Sequence, residues 1–235
     1  KRSVRAVNLT ATGAAYAASV RDVLGRLAAA TAVIMDQQSM GVLNISTLDS
    51  FAAKWLIPRL FRFRQAHGDI DVRLATSVKL ADFVNDGIDI ALRYGSGRYP
   101  GVKAELLMRE DVFPVCSPLL LEGPHPLRSA ADLKHHTLIH DSFEIDWAMW
   151  LKTAGVEGVD PHRGPRFESS DHAVQAAVQG EGVVLGRSAL VADDLRAGRL
   201  VRPFSTSLPA DLAYYVAYPA QTPQRPKVRA FRDWL

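Results

Sequence analysis

A change of hydrophobic periodicity near residue 36 constrains the fold of this chain more than any other feature. Residues 14–36 contain no proline and many alanines, and apolar side chains recur at alternating steps of four and three residues. This spacing is typical of a helix that pairs with a second helix along one face. We therefore expect a long dimerisation helix, although a helix packed on its own domain would show a similar pattern. The expected pairing residues are Tyr16, Val20, Val23, Leu27, Ala30 and Ile34.

After the polar segment 36–41, short apolar runs alternate with helical patterns. That segment is the expected domain boundary. The alternation predicts an α/β fold with mainly parallel sheets, helices on both faces, and two lobes with a cleft between them. The predicted strands cover residues 42–47, 70–76, 88–94, 112–116, 166–168, 183–185 and 213–218, and the predicted helices cover residues 52–66, 80–86, 129–134, 146–154, 171–179 and 225–235.

Composition indicates a chain with a sizeable core and no membrane helix. Hydrophobic residues make up 48% of the 235 residues, and no apolar run in the sequence reaches the roughly 20 residues that a membrane helix needs. We therefore expect a cytoplasmic protein. The single cysteine, Cys116, excludes an internal disulfide and a multi-cysteine metal site. Its apolar neighbours predict a small buried residue.

The net positive charge is concentrated at the start of the chain. The sequence has 28 Lys and Arg against 25 Asp and Glu, and Lys1, Arg2 and Arg5 account for the whole difference. The remainder is formally neutral. It is therefore not expected to bind DNA by itself.

The motifs of common enzymes are missing or incomplete. The glycines of GSGRYPG and GEGVVLG do not have the dinucleotide-binding spacing, and there is no P-loop or nucleophile elbow. Ser170, Asp171 and His172 are adjacent in the sequence, whereas the fold assembles catalytic triads from separate segments. His135 and His136 have no third metal ligand at a suitable spacing. We expect no catalysis, no cofactor and no metal, with an enzyme on the same fold as a minor alternative.

Two helix starts are better candidates for a binding site. Asp49 or Ser50 precedes a helical pattern directly after a strand, and Ser169 or Ser170 precedes another. Exposed amides and the helix dipole at such positions attract anions, and ligands of open α/β sheets collect at the carboxyl ends of strands. The two starts are therefore expected to flank one small anionic ligand. The alternative is ordinary helix capping without a ligand.

Several longer segments resemble the LysR-type transcriptional regulators. RSVRAVNLTATGAAYAASV resembles the end of their DNA-binding domain, where a basic wing precedes a linker helix. LNISTLDSFAAKWLIPRLFRFRQAHGDIDVRLATS resembles the first lobe of their effector domain, with Gly68 where proline is usual. IALRYGSG and WAMWLKTAG are most similar to the subgroup that includes the activators of glycine cleavage and of chromosomal beta-lactamase. The resemblance continues through FESSDHAVQAAVQGEGVVLG and LVRPF and covers essentially the whole chain.

This resemblance implies a domain organisation and a set of partners. The effector domain would have two lobes like those of periplasmic solute-binding proteins, and the protein would be a homodimer or homotetramer. A winged helix-turn-helix preceding Lys1 would bind double-stranded promoter DNA, with Lys1, Arg2 and Arg5 as the remainder of its wing. The implied divisions are the wing remnant 1–12, the linker helix and hinge 13–40, lobe I at 41–111 and 208–235, and lobe II at 112–207.

The resemblance also implies which residues contact a small-molecule effector. Asp49 departs from the small or hydroxyl residue that is usual in the family, and its carboxylate would repel a simple acid. We therefore expect an amino-acid- or peptide-like effector, with its carboxylate near Ser50 and Ser169 and its cation near Asp49. Alternatively, Arg93 neutralises Asp49 internally. The implied contacts are Thr47, Asp49, Ser50, Phe51, Thr76, Ser77, Arg93, Tyr94, Trp147, Ser169, Ser170 and Tyr214.

A solute-binding protein of a transport system is the main alternative to a regulator. It would share the two lobes and the cleft. It would need an export signal, however, and it would have no use for a basic wing or a dimerisation helix.

Overall fold

A long helix and a mixed sheet are the main elements of this fold. The helix, α1, covers Ala11–Asp36, as its proline-free sequence predicts. Thr10 caps it, because the Thr10 Oγ1 accepts the backbone N–H of Gly13 at 3.1 Å. None of the described helices is long and apolar enough to cross a membrane. The computed structural model describes residues 2–3, 6–7, 10–36, 41–79, 82–83, 85–99, 101–220 and 225–235.

The described strands form a short hairpin-like pair and one large sheet. They are β1 (Arg2–Ser3), β2 (Ala6–Val7), β3 (Val42–Thr47), β4 (Asp71–Thr76), β5 (Ile90–Gly95), β6 (Val102–Cys116), β7 (Leu138–Ile139), β8 (Val183–Arg187) and β9 (Leu208–Pro219). β1 pairs with β2, and the large sheet has the order β4-β3-β5-β9-β6-β8-β7.

The large sheet is parallel at its two ends and antiparallel in its centre. β3 is parallel to β4 and β5, and β7 is parallel to β8. The central pairs β5–β9, β9–β6 and β6–β8 are antiparallel. The α/β class is therefore as predicted, but the sheet is mixed rather than mainly parallel. The reason is that two long strands, β6 and β9, run through its middle.

Only the ends of these two long strands are evident in the sequence. β6 has 15 residues, of which the prediction covered 112–116. Its first half alternates irregularly between exposed and half-buried residues, so no continuous apolar run marks it. The register also shifts between Leu106 and Met108 and between Arg109 and Asp111, where the ladder with β9 is irregular.

Helices cover the sheet, and most of them begin and end close to the predicted positions. The helix predicted at 52–66 starts earlier, at Asp49, and contains a π-helical turn. The strand predicted at 166–168 is reduced to a single bridge between His140 and Arg166, and α6 was not predicted. The described helical segments after α1 are α2 (Asp49–Phe51), the π-helical turn Ala52–Leu56, α3 (Ile57–Ala66), the 3-10 helices Pro118–Leu121 and Ala130–His135, α4 (Trp147–Ala154), α5 (Ser170–Val178), α6 (Ser188–Arg196) and α7 (Pro226–Trp234).

The helix predicted at 80–86 is wrong for the part of this segment that the structure describes, which forms turns. The Asp82 Oδ1 accepts the backbone N–H of Asn85 at 3.1 Å, and the Asp86 carboxylate accepts the backbone N–H of Asp82 at 2.9 Å. Side chains of this kind compete with the backbone for hydrogen bonds, which favours turns over helix.

Two groups of buried side chains flank the central strands. The first core lies between β3, β5, β9, α3 and α7 and contains Phe51, Phe63 and Phe231. The second lies around β6, β7, β8 and α4 and contains Trp147 and Trp150, with a further cluster under α5. Cys116 is fully buried in the second core, as predicted, and burial raises the pKa of its thiol to about 11.

The helix α6 packs between the first core and the cluster under α5. Its Ala189 and Leu190 side chains belong to the first core, whereas Val191 belongs to the cluster under α5. The helix starts directly after Arg187, the last residue of β8, without an intervening loop. α6 therefore connects the carboxyl end of β8 to both halves of the sheet.

Candidate functional site

Four polar side chains from four strands meet in the middle of the large sheet. Tyr94 lies in β5, Glu110 in β6, Arg187 at the end of β8 and Tyr214 in β9. The two tyrosine rings are 5.0 Å apart between centroids, and the Arg187 guanidinium lies 5.2 Å from the centre of the Tyr94 ring. The Arg187 Nη1 lies 4.0 Å from the Glu110 Oε2. We call these four residues the central cluster.

Each member of the central cluster has a buried polar atom without a hydrogen-bond partner among the described residues. These atoms are the hydroxyl oxygens of Tyr94 and Tyr214, the Glu110 Oε2 and the Arg187 Nε. The Oγ1 of Thr47, at the end of β3, is buried and unpartnered as well. Buried polar atoms in folded proteins are nearly always paired. The grouping of four such atoms in the central cluster therefore makes the cluster the candidate site.

Burial and charge set the protonation of this cluster. Burial raises the pKa of Tyr94 to about 12 and also raises that of Tyr214, with the Glu110 charge acting in the same direction on both. Both tyrosines are therefore neutral hydroxyls at physiological pH. Burial also raises the pKa of Glu110, while the positive charge of Arg187 opposes that rise.

The start of α5 contacts the central cluster through Ser170. The Ser170 Oγ accepts a hydrogen bond from the Arg187 Nη2 at 3.1 Å and donates to the Asp141 carboxylate. Ser169 occupies the N-cap position, but its hydroxyl donates to the Asp171 carboxylate rather than capping the helix. The two serines predicted to bind an anion thus each have a carboxylate partner.

The start of α2 reaches the cluster through an aromatic ring. Phe51 stacks on Tyr214 with centroids 4.0 Å apart. Leu48 is the N-cap, so neither Asp49 nor Ser50 caps this helix as predicted; Asp49 is exposed and Ser50 is buried. Some Cα atoms of α2 and α5 lie within 8 Å of each other. The two helix starts are therefore neighbours, as expected.

Arg93 holds a neighbouring segment of chain and not Asp49. Its guanidinium donates to the Ser46 Oγ at 2.6 Å and to the backbone carbonyls of Ser77 and Lys79 at 3.1 Å each. The proposed neutralisation of Asp49 by Arg93 is thus not what the structure shows. Thr76 and Ser77, also predicted as contacts, are exposed at the end of β4.

Trp147 belongs mainly to the second core. It is 1% exposed, and its indole N–H donates to the Ile139 carbonyl at 3.0 Å. It also lines a cavity of about 260 Å³ together with Asp141 and Phe143. Phe143 links that cavity to the central cluster, because the Arg187 guanidinium lies 4.4 Å from the centre of its ring.

The structure thus brings together some of the predicted residues and adds two that were missed. Phe51, Tyr94, Ser170 and Tyr214 surround Arg187 and Glu110, neither of which was predicted. Arg187 could have been found from the sequence, because it follows an apolar strand pattern and ligands of α/β sheets bind at the carboxyl ends of strands. Glu110 lies in the mixed run REDV and had no signal of this kind.

Comparison with known proteins supports the resemblance seen in the sequence. Residues 36–235 match the family model of the LysR substrate binding domain. The chain is 37% identical over 235 residues to the glycine cleavage system transcriptional activator of Escherichia coli K12. The match covers all of this chain and 77% of that protein. These matches do not support the transport alternative, because the relative is a transcriptional activator.

Solved structures with the same fold include effector domains of the activator AmpR. The domain from Pseudomonas aeruginosa has a TM-score of 0.66 and 32% identity, and the match covers 82% of this chain and 92% of that one. A Citrobacter freundii effector binding domain has a TM-score of 0.68 and 27% identity, over 83% of this chain and 97% of that one. It carries a threonine-to-valine, a serine-to-alanine and a tyrosine-to-phenylalanine substitution. Together with the family match, these likenesses show that this chain belongs to the LysR family of transcriptional regulators and contains their effector-binding domain.

Proposed function

We propose that the central cluster is the effector site of this regulator. The observation that carries the proposal is the set of buried, unpartnered polar atoms on Tyr94, Tyr214, Glu110 and Arg187. A small molecule bound there would touch β5, β6, β8 and β9 at once. Its binding energy would then favour one arrangement of the two halves of the sheet over another.

The chemistry of the cluster suits an amino-acid- or peptide-like effector. Arg187 offers a cation for a carboxylate or carbonyl, and the hydroxyls of Tyr94 and Tyr214 both donate and accept. We place the carboxylate of the effector at Arg187 instead of at Ser169. The three substitutions in the Citrobacter freundii domain replace one threonine, one serine and one tyrosine. Those are the residue types that Thr47, Ser170 and Tyr214 supply here.

The outer wall of the cleft completes the proposed contacts. The α2 segment, which carries Ser50 and Phe51, lies next to α5, which begins at Ser170, and Asp49 is exposed. We assign lobe I to 41–111 and 208–235 and lobe II to 112–207. The buried residues of the second core all come from lobe II, and those of the first core come from lobe I except for Ala189 and Leu190 of α6.

Oligomer formation through α1 belongs to the same proposal. Tyr16, Val20 and Val23 lie on one face of the helix, and their side chains are exposed by 73%, 37% and 63%. Apolar residues at this spacing are covered when two such helices pair. The side chains of Leu27, Ala30 and Ile34 lie outside the described part of the chain.

The same regulator would act on promoter DNA in the cytoplasm. β1 and β2 form an antiparallel pair at the start of the chain, which suits a wing. Arg2 lies in β1, although its side chain is not among those described, and Lys1 and Arg5 lie outside the described residues. Cations at these positions would contact phosphates and would orient the wing on DNA.

A screen of amino acids and small peptides by isothermal titration calorimetry tests the effector site. An effector found with the wild-type chain should bind at least tenfold more weakly to Tyr214→Phe, which removes one unpartnered hydroxyl. Tyr215→Phe is the matched control, because Tyr215 is the next residue on the same strand and its side chain alternates to the other face. An effector that binds equally to the wild type and to Tyr214→Phe would contradict the proposed site.

A further inference from the structure

Glu110 is a buried carboxylate with one oxygen engaged and one available. Its side chain has no solvent exposure. The Oε1 accepts the backbone N–H of Ala189, in the first turn of α6, at 3.1 Å. The Oε2 has no hydrogen-bond partner among the described residues and points toward Arg187. The first contact fixes the orientation of the carboxylate, and the second oxygen is left for another donor.

Arg187 also has one nitrogen that donates a hydrogen bond and one that has no partner in the described part of the chain. Its side chain is 6% exposed, its Nη2 donates to Ser170, and its Nε is unpartnered among the described residues. The separation of 4.0 Å between Arg187 and Glu110 exceeds the length of a hydrogen bond. A carboxyl group and a guanidinium therefore lie side by side in a buried site, and each retains a hydrogen-bonding atom without a partner among the described residues.

This arrangement restricts the charge of a ligand. With Glu110 ionised, the cluster has no net charge, because Arg187 balances it. A simple carboxylate placed at Arg187 would add a second negative charge beside Glu110, and like charges repel strongly where water is excluded. A ligand that also carries an ammonium or amide N–H would donate to the Glu110 Oε2, so the carboxylate would then become a binding partner.

We infer that Glu110 is the specificity-determining residue of this site, which admits molecules carrying both a donor and a carboxylate or carbonyl and rejects simple carboxylic acids. The inference rests on the proposed function, in that it takes the central cluster to be the effector site. It assigns to Glu110 the selective role that the sequence suggested for Asp49, which is exposed and lies outside the cluster.

The substitution Glu110→Gln tests this inference with acetate as the probe. Glutamine keeps an oxygen that can accept the Ala189 N–H but removes the charge. We expect Glu110→Gln to bind acetate at least tenfold more tightly than the wild type, measured by calorimetry. Glu144→Gln is the matched control, because Glu144 also acts on Tyr94 through its charge but is exposed. No gain for Glu110→Gln, or an equal gain for Glu144→Gln, would overturn the inference.

A second variant shows where the acetate binds. Adding Arg187→Met to Glu110→Gln should abolish the gain, because the cation that holds the carboxylate is then gone. Persistence of the gain in the double variant would mean that acetate binds elsewhere, and the inference would fail.

A comparison on the wild-type chain keeps the inference testable if Glu110→Gln does not fold. Acetamide, which carries a donor and no charge, should bind at least tenfold more tightly than acetate. Equal binding of the two, including no binding of either, would contradict the inference.

The inference and the proposed function can fail separately. If a simple carboxylic acid added to the screen binds the wild type, and binds at least tenfold more weakly to Tyr214→Phe, the site stands and the role of Glu110 is wrong. If no effector acts through Tyr214 but Glu110→Gln gains acetate binding through Arg187, the charge selectivity stands and the effector site is wrong.

Discussion

The Lys54 Nζ lies 3.2 Å from the Asp194 Oδ2, and this ion pair joins the π-helical turn to α6. A second pair reinforces it, because Arg59 of α3 donates to both carboxylate oxygens of Asp193 at 2.8 and 3.1 Å. The other end of α6 contacts the central cluster, where Glu110 accepts the Ala189 N–H. A nine-residue helix thus connects the proposed effector site to the helix that follows β3.

The replacement Asp194→Asn should destabilise this connection. Asp194 is 5% exposed and also accepts the Arg199 Nε at 2.7 Å, so an amide would leave two cations without their partner. We expect the free energy of unfolding in urea to fall by about 1–3 kcal/mol. Asp22→Asn in α1 is the control, since the Asp22–Arg26 pair is largely exposed and should contribute less than about 0.5 kcal/mol. Equal losses in the two variants would show that burial of the Lys54 pair is unimportant.

Tyr214→Phe should not destabilise the chain, although it should weaken effector binding. The Tyr214 hydroxyl is buried and unpartnered among the described residues, so its removal relieves a desolvation cost. The free energy of unfolding should stay the same or rise by up to about 1 kcal/mol. Tyr218→Phe provides the contrast, because Tyr218 is equally buried and its hydroxyl donates to Glu105. That variant should lose about 1 kcal/mol; a comparable loss for Tyr214→Phe would contradict the assignment of an unpartnered hydroxyl.

Stability should decrease as the pH falls below about 6.5, and His140 should account for part of the decrease. Burial lowers the pKa of His140 from its usual value of 6.5, with Arg166 acting in the same direction. At pH values between the lowered pKa of the native state and the usual pKa of the unfolded state, the unfolded chain binds more protons than the native chain. The contribution of His140 to the free energy of unfolding is therefore fully present above pH 6.5 and declines below it. The slope for one proton is at most about 1.4 kcal/mol per pH unit. His140→Gln should reduce the slope measured by urea unfolding between pH 7.5 and 5.

The control for this pH effect is His172→Gln, which removes a histidine whose side chain is 66% exposed. His136 also has its pKa lowered by burial, so some slope should remain in His140→Gln. An unchanged slope in His140→Gln would show that this histidine does not contribute.

Two glycines of one loop should differ sharply in their tolerance of alanine. Gly164 has φ +138°, and a Cβ atom there would lie 1.8 Å from the Leu138 carbonyl oxygen in β7. Gly164→Ala should therefore lower the free energy of unfolding by more than about 3 kcal/mol. Gly158 also has a positive φ, +78°, but open space around its Cβ position. Gly158→Ala should cost only about 1 kcal/mol. Similar thermal shifts for the two variants would refute the close approach at Gly164.

The substitution Val23→Glu should weaken oligomer formation. Val23 is 63% exposed on the proposed pairing face of α1, and a charge there would be buried against the partner helix. Analytical ultracentrifugation should show a dissociation constant at least tenfold higher than that of the wild type. Arg21→Glu is the control, because position 21 lies off the pairing face. The pairing face would be misassigned if Arg21→Glu had the larger effect.

Local elements were predictable from the sequence because their signals are local. The absence of proline and the alternating four- and three-residue spacing mark α1, and α4, α5 and α7 begin and end within one or two residues of prediction. The described part of segment 80–86 shows the limit of such patterns, because hydrogen bonds of the Asp82 and Asp86 side chains favour turns there. The LysR family was recognisable from the sequence because the motifs that resemble it are contiguous segments spread along the chain.

The chemistry of the proposed site was decided by the tertiary structure. Glu110 and Arg187 are 77 positions apart, and they meet because β6 pairs antiparallel with β8 in one particular register. Whether Arg93 faces Asp49 or Ser46 depended on how β3, β4 and β5 align. Local patterns and motifs were enough to predict the α/β class, the long helix and the family. Sheet order and register alone decided which buried charges face each other, since those contacts involve residues distant in the chain that no local pattern relates.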